Sequence, residues 1–329
     1  MSSKAVIGED RAVGNRRPAW GDMTLYLGAV GIVIAFSLVC LFFGRNFLTL
    51  RNIQNIVTQS SIIAVIAIGS SLVILTGGID LSVGSVVGLV GMFAGALLKS
   101  GVPLWAACIS ALGVGALTGL VNGYLVSVGK VPSFIVTLGI MQIARGLALL
   151  TTLGKPISRF PDGLGLIMNA KVAGDMPTSV LYVFSLYFLM MFVMSLTRFG
   201  RHVYAFGGNP NAARLSGVRV RRVEMAVYVL SGLFAAAGGI MLLSRLSYAD
   251  PNAGGGYEMH AIAAAVIGGI SLSGGRGRIG NTLVGALILG SLTCGLQILN
   301  VPTYCQTIVT GVVIIAAVYA DKAGERRAE

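Results

Sequence analysis

The residues best placed to do chemistry are the few polar ones that interrupt long apolar runs, and Asp80 is the most informative of them. It follows Thr76-Gly77-Gly78-Ile79, a break in an otherwise continuous apolar region, and precedes Leu81-Ser82-Val83-Gly84, which opens the next run. A carboxylate at membrane depth costs about 2.5–3.5 kcal/mol on insertion scales unless it faces protein or water. Asp and Ser are also good N-caps, because their side-chain oxygens satisfy the free N–H groups of a helix start. Asp80 and Ser82 therefore fit two roles: a cap at a broken helix, or groups lining a substrate path.

Asn122, Gln142 and Arg145 also lie inside apolar runs. Gln142 and Arg145 are three apart and share one helix face. They either line a polar conduit or bond across helices. Asp250, Glu258 and His260 flank the Gly-rich stretch Ala253-Gly254-Gly255-Gly256. Residues two apart do not face each other on a helix, and no third ligand stands near, so Glu258 reads as a helix-start acid and no metal is expected.

Other signals argue against catalysis. Gly275-Arg276-Gly277-Arg278-Ile279-Gly280 matches G-x-G-x-x-G, but the dinucleotide fingerprint needs a preceding strand in a βαβ unit, and apolar spans flank this copy. No G-x-x-x-x-G-K-[ST] occurs, and with only two histidines there is no Ser/His/Asp set. The chain itself is expected to bind no cofactor. Cys40, Cys108, Cys294 and Cys305 lack metal or redox spacing and read as small buried hydrophobes.

The elements that must position these residues are membrane helices. Hydrophobic residues make up 55% of the chain and charged residues 11%, with mean hydropathy +0.84, too little polar surface for a water-soluble globule. The 46 glycines suit close helix approach in lipid, as in the pairs Gly84/Gly88, Gly91/Gly95, Gly115/Gly119 and Gly119/Gly123. The net charge of +12 sits in short connections between apolar runs, which points to membrane topology and away from nucleic acid. The basic residues 1–22 have neither an apolar core nor a cleavage site, so they read as a retained cytoplasmic tail.

A span needs about 20 mostly apolar residues. Runs at 24–43, 53–75, 81–98, 103–128, 133–153, 179–197, 223–244, 257–272, 279–299 and 303–320 predict an all-α integral membrane protein with about ten transmembrane helices. Trp20 and Tyr26 suit interface anchors for the first. Residues 23–320 form one transmembrane domain, and 321–329 a C-terminal tail. With both termini cytoplasmic, the tail residues Lys4, Arg11, Arg16 and Arg17, the arginine-rich 198–222 segment, Arg276, Arg278, Lys322, Arg326 and Arg327 all fall inside. They outnumber the basic residues left outside (Arg45, Arg51, Lys99, Lys155, Arg159, Lys171 and Arg245), as the positive-inside rule requires. Gly77-Gly78-Ile79-Asp80-Leu81-Ser82 echoes Gly268-Gly269-Ile270-Ser271-Leu272-Ser273, which suggests two inverted five-helix halves. The Gly-rich breaks at 76–80 and 253–256 suggest that some helices are discontinuous.

The connection Arg198–Val223 differs from the other loops. Asn209 can cap a helix that begins at Pro210, runs through Ala212, Ala213 and Leu215, and stops at Gly217. Such a helix is either an interfacial connector or a docking peg for a soluble partner.

Four stretches carry a family likeness: Leu75–Gly84, Gly200–Asn209 with Ala212–Gly217, Gly256–Ala264, and Gly268–Arg278. Together they resemble the permease subunits of bacterial ATP-binding-cassette importers for pentoses and related sugars, the ribose permease group in particular. The resemblance implies a multi-pass subunit of the bacterial inner membrane that forms the sugar pathway. It implies as partners two ATPase subunits that hold ATP and Mg, a second permease copy or paralogue, and a periplasmic or lipid-tethered sugar-binding protein. It makes 207–217 the coupling helix, with Gly207, Gly208, Asn209, Ala212, Ala213, Arg214, Leu215 and Gly217 its residues. Asp80, Ser82, Asn122, Gln142, Arg145 and Glu258 remain as pathway or helix-break candidates. Pro210 departs from the family, which usually has an acidic residue there. The competing reading is an ion-coupled secondary transporter of a small polar solute, with Asp80 as the coupling group.

Overall fold

The computed structural model describes residues 19–161, 163–172 and 176–326. The N-terminal tail's Lys4, Arg11, Arg16 and Arg17, the Trp20 side chain, and the side chains of Lys322, Arg326 and Arg327 lie outside that description.

The described chain is helical almost throughout. Its helices are α1 (Ala19–Phe42), α2 (Leu50–Leu75), α3 (Val83–Lys99), α4 (Leu104–Ser127), α5 (Ser133–Leu150), α6 (Gly163–Asn169), α7 (Ser179–Leu196), α8 (Arg198–Gly208), α9 (Pro210–Leu215), α10 (Val220–Leu246), α11 (Tyr257–Ile267), α12 (Ile279–Ile298) and α13 (Thr303–Arg326). Four two-residue strands pair antiparallel: β1 (Ile157–Ser158) with β4 (Tyr248–Ala249), and β2 (Lys171–Val172) with β3 (Met176–Pro177). In lipid a helix satisfies its own backbone polar groups, so apolar runs of this length have little alternative. Each of the ten apolar runs contains a helix. Seven of these are long and apolar enough to cross a membrane, while Val83–Lys99, Tyr257–Ile267 and Thr303–Ala316 are shorter apolar helices.

Helices α2 and α10 form the centre. Every residue of α2 from Ser60 to Leu75 is buried, whereas α1, α5 and α7 turn most of their side chains outward and α4 splits between a buried and an exposed face. Glycine sets how closely α4 and α10 approach. A Cβ on Gly119 would lie 2.3 Å from the Tyr228 carbonyl oxygen, and one on Gly232 would lie 2.1 Å from that of Gly115. Gly115, Gly119 and Gly123 thus form one seam against α10. The pair Gly91/Gly95 does not behave this way: Gly95 meets Ala249 and Phe160, but Gly91 has open space beside it.

Two apolar runs are broken where glycines suggested. Helix α2 closes on Gly77, at φ +77°, with Gly77 N–H donating to the Ile74 carbonyl and Gly78 N–H to that of Val73, a Schellman closure. Helix α11 covers only Tyr257–Ile267, so the expected 257–272 helix is corrected. At about 1.5 Å per residue it reaches roughly half of a hydrocarbon core. The non-helical segment before it lies along α3: Gly95 packs on Ala249, Gly88 on the Pro251 and Ala253 carbonyls, and Gly84 on the Gly254 carbonyl and Glu258. The N-terminal turns of α3 and α11 therefore meet.

The two Gly-Gly breaks are not equivalent in the register of the sequence echo. The positive-φ glycine is Gly77, first of its pair, but Gly269, second of its pair. The closing bond shifts likewise, from Gly78 donating to Val73 in one to Ile270 donating to Ala265 in the other.

Candidate functional site

At one end of the bundle the 198–222 segment forms two helices, α8 and the Asn209-capped α9 expected from Pro210, so the 207–217 extent implied by the resemblance divides at Asn209. Thr197 opens α8, its Oγ1 accepting from Gly200 N–H at 3.4 Å. Asn209 then breaks the helix and starts the next one. Its Oδ1 accepts from the N–H groups of Asn211 and Ala212, both at 3.0 Å, and Pro210 takes the first turn. Helix α9 closes as its residues require, with Gly217 at φ +83° and Val218 N–H donating to the Ala213 carbonyl at 3.0 Å. Gly207 and Gly208 thus belong to the end of α8.

The residues grouped as coupling candidates divide into two sets. Gly207 and Ala213 face the bundle, Ala213 being buried and Gly207 lying against the Leu75 carbonyl. Gly208, Asn209, Ala212, Arg214, Leu215 and Gly217 are exposed. Leu215 is extreme at 90% exposed. Beneath α9, Tyr204 of α8 donates its hydroxyl to the Gly277 carbonyl at 3.0 Å. Burial pushes this phenol's pKa up, against the pull of Arg278, so it remains a donor. Gly275 and Gly277 serve this contact within the chain, at φ +69° and +124°, and the element directly before them is the helix α11, not a strand.

Asp80 sits in a buried polar tie between three elements, the α2–α3 connection, α4 and α10. Its Oδ1 accepts from the Ser82 N–H at 3.0 Å and the Ser82 hydroxyl at 2.6 Å, and its Oδ2 from the Ser231 hydroxyl at 2.8 Å. Asn122 of α4 donates to the Ser82 Oγ at 2.9 Å. Ser82 donates its hydroxyl to Asp80 while its oxygen accepts from Asn122, and it makes no side-chain cap for α3. Ser231 escaped the sequence reading. Its signal, one serine beside Gly232 in a long apolar helix, is no different from that of many serines here.

A second cluster surrounds the meeting of α3 and α11. Arg145 of α5 donates to the Pro251 and Ala253 carbonyls at 2.7 and 3.1 Å, so it bonds across elements. Gln142, three residues earlier, is exposed. Glu258 accepts from Gly256 N–H through Oε1 at 3.2 Å, a helix-start role, while its Oε2 has no protein partner. Asp250 turns instead to Asn252 N–H at 2.8 Å, so Asp250, Glu258 and His260 do not converge. Among the described residues no three His, Cys, Asp or Glu side chains gather as a metal set. Cys40 and Cys294 are buried, whereas Cys108 and Cys305 are partly exposed.

The family described as branched-chain amino acid transport system / permease component matches residues 52–318. The ribose import permease protein RbsC of Escherichia coli (strain K12) is 44% identical over 284 residues, covering 84% of this chain and 87% of the relative. RbsC of Bacillus subtilis (strain 168) is 42% identical over 302 residues, with 90% and 91% covered. The D-allose transport system permease protein AlsC of Escherichia coli (strain K12) is 38% identical over 306 residues, with 92% and 94% covered. No solved structure matches the chain.

Proposed function

The chain belongs to the permease-component family of branched-chain amino acid transport systems, and on that premise we infer that it is the permease subunit of an ATP-binding-cassette importer for a monosaccharide. The family description names amino acids, but the relatives above are named for ribose and D-allose and align over most of their length. The aligned extent favours a sugar. The subunit is a multi-pass inner-membrane protein, and its hydrolysis partner, carrying ATP and Mg, is a separate ATPase. A sugar-binding protein delivers the substrate.

The finer reading has ten crossings, both termini in the cytoplasm and a second permease copy completing the path. Arg198, Arg201, Arg214, Arg219, Arg221, Arg222, Arg276 and Arg278 gather at the α8–α9 end, which supports placing that end in the cytoplasm. The observation that carries the docking role is Leu215. A large apolar side chain 90% exposed on a well-capped helix is a natural anchor, since filling a partner's groove with it gains about 1.5–3 kcal/mol. Ala212 and Arg214 share its exposed surface.

The sugar path follows the second cluster. Non-helical backbone at membrane depth is tolerated where it is buried in protein or lines a water-filled space. The segment before α11 buries Ala249, Pro251 and Gly254 but exposes Asn252 and Gly255. Gln142 is exposed midway along α5. A hydroxyl-compatible wall with Gln142 and Asn252 exposed and the part-buried Arg145 and Glu258 behind them suits a sugar passing between two permease copies. The ion-coupled alternative loses support because Asp80 already has donors on both carboxylate oxygens.

The test is ATP-dependent uptake of labelled ribose, allose and xylose by cells expressing this chain with its ATPase and binding protein. Uptake of at least one, abolished when the chain is omitted, is the expected result. Uptake of branched-chain amino acids in place of all three sugars would refute the substrate class.

A further inference from the structure

Three segments remote in sequence meet backbone to backbone beneath α9. Gly275 donates its N–H to the Leu75 carbonyl at 2.9 Å. A Cβ on Gly207 would lie 1.8 Å from that same oxygen and 2.5 Å from the Gly275 nitrogen. One on Gly275 would lie 2.7 Å from the Gly208 nitrogen, and one on Gly274 2.9 Å from the Gly77 nitrogen. No side chain separates these strands of backbone, so nothing between them can change rotamer and absorb a displacement. Tyr204 fastens the same contact one turn back along α8, through its bond to the Gly277 carbonyl. On one side α8 passes into α9 through Asn209. On the other, Leu75 passes through Gly77-Gly78 to Asp80, whose carboxylate is held by Ser231 of α10.

We propose that Gly207 and Gly275 are positioning residues of the transport cycle. They join α8, the turn between α11 and α12, and the end of α2 into one rigid body. Displacement of α9 by a docked ATPase is thereby delivered to the break at Gly77–Asp80 instead of being lost in a pliant loop. Packed contacts of this kind switch between discrete arrangements more readily than they deform. The proposal rests on the docking role given to α9.

The experiment uses the complete importer, with ATPase and binding protein, in proteoliposomes. The readout is the number of sugar molecules imported per ATP hydrolysed, a ratio that a loss of folded protein alone does not move. Gly207→Ala is expected to keep its ATPase on purification while this ratio falls about tenfold, within the usual range of coupling between sites. An unchanged ratio overturns the proposal. Because the added Cβ meets backbone, Tyr204→Phe serves as the gentler arm if Gly207→Ala does not fold. A ratio lowered about threefold, the scale of one hydrogen bond, supports the proposal, and an unchanged one overturns it. Leu215→Asp separates the two claims. If the ATPase stays bound to that variant, the docking reading has failed. If Leu215→Asp loses the ATPase while the ratio is intact in the Tyr204 and Gly207 variants, only the rigid-body proposal has failed.

Discussion

The Ser231 hydroxyl reaches across the bundle to the Asp80 carboxylate, Oγ to Oδ2 at 2.8 Å, and so fastens the broken α2–α3 connection to the central helix α10. Both residues are almost fully buried, Asp80 at 2% and Ser231 at 0% exposed. Removing the Ser231 hydroxyl leaves Asp80 Oδ2 without its donor in a place water does not reach, while Oδ1 keeps its bonds from Ser82. Ser231→Ala is therefore expected to cost about 1–3 kcal/mol, seen as a lower midpoint of thermal unfolding in detergent. In a double-mutant cycle with Asp80→Ala, which removes both acceptor oxygens, the two losses should be less than additive by at least about 0.5 kcal/mol. Strict additivity would mean the two side chains do not interact.

Glycine at the α4–α10 seam is a requirement of space. Gly232→Ala puts its Cβ 2.1 Å from a backbone oxygen, and overpacking of that kind costs about 1–3 kcal/mol or more. Gly113→Ala, on the same α4 but with open space around it, should leave the folded yield unchanged. Equal yields from the two variants would contradict the seam.

Docking through α9 makes its own prediction. Leu215→Ala should weaken retention of the ATPase by about tenfold or more, since about 1.5–3 kcal/mol of side-chain burial is lost. Quantitative co-purification over a dilution series measures it. Ala213→Asp should act differently, because Ala213 is buried toward the bundle: it should lower thermal stability, with weaker docking only as a consequence.

The path can be mapped by thiol labelling in the assembled importer, in a variant with the four native cysteines replaced. Gln142→Cys and Asn252→Cys are expected to react with a membrane-impermeant maleimide, and Phe188→Cys, on the exposed apolar face of α7, is not. Labelling of Phe188→Cys with protection of the other two would place water on the wrong face.

Much of this arrangement was legible from residue types alone. Apolar run length marked the helices, because in lipid the helix is the only local way to satisfy a backbone. The cap at Asn209, Pro210 at the first turn and the stop at Gly217 were readable because each acts within a few residues. What the sequence could not supply were the long-range contacts. Gly207 looks like one glycine among many until its Cα is set against Leu75, and Ser231 like any helical serine until it meets Asp80. The 207–217 helix implied by the resemblance is shorter at its start: Asn209, with extended backbone at φ −158°, ends α8 and caps α9, which begins at Pro210 as its own residues require. Gln142 and Arg145 do share a helix, but the deep segment before α11 captures only Arg145.

This chain moves sugar only when driven by a partner ATPase. The most direct measurement is sugar uptake by proteoliposomes holding the chain alone, under an imposed proton or sodium gradient, beside proteoliposomes holding the complete importer with binding protein and ATP. Uptake is expected only in the second, and only while ATP is hydrolysed. Gradient-driven uptake by the chain alone would instead make it a secondary transporter and overturn its dependence on the ATPase.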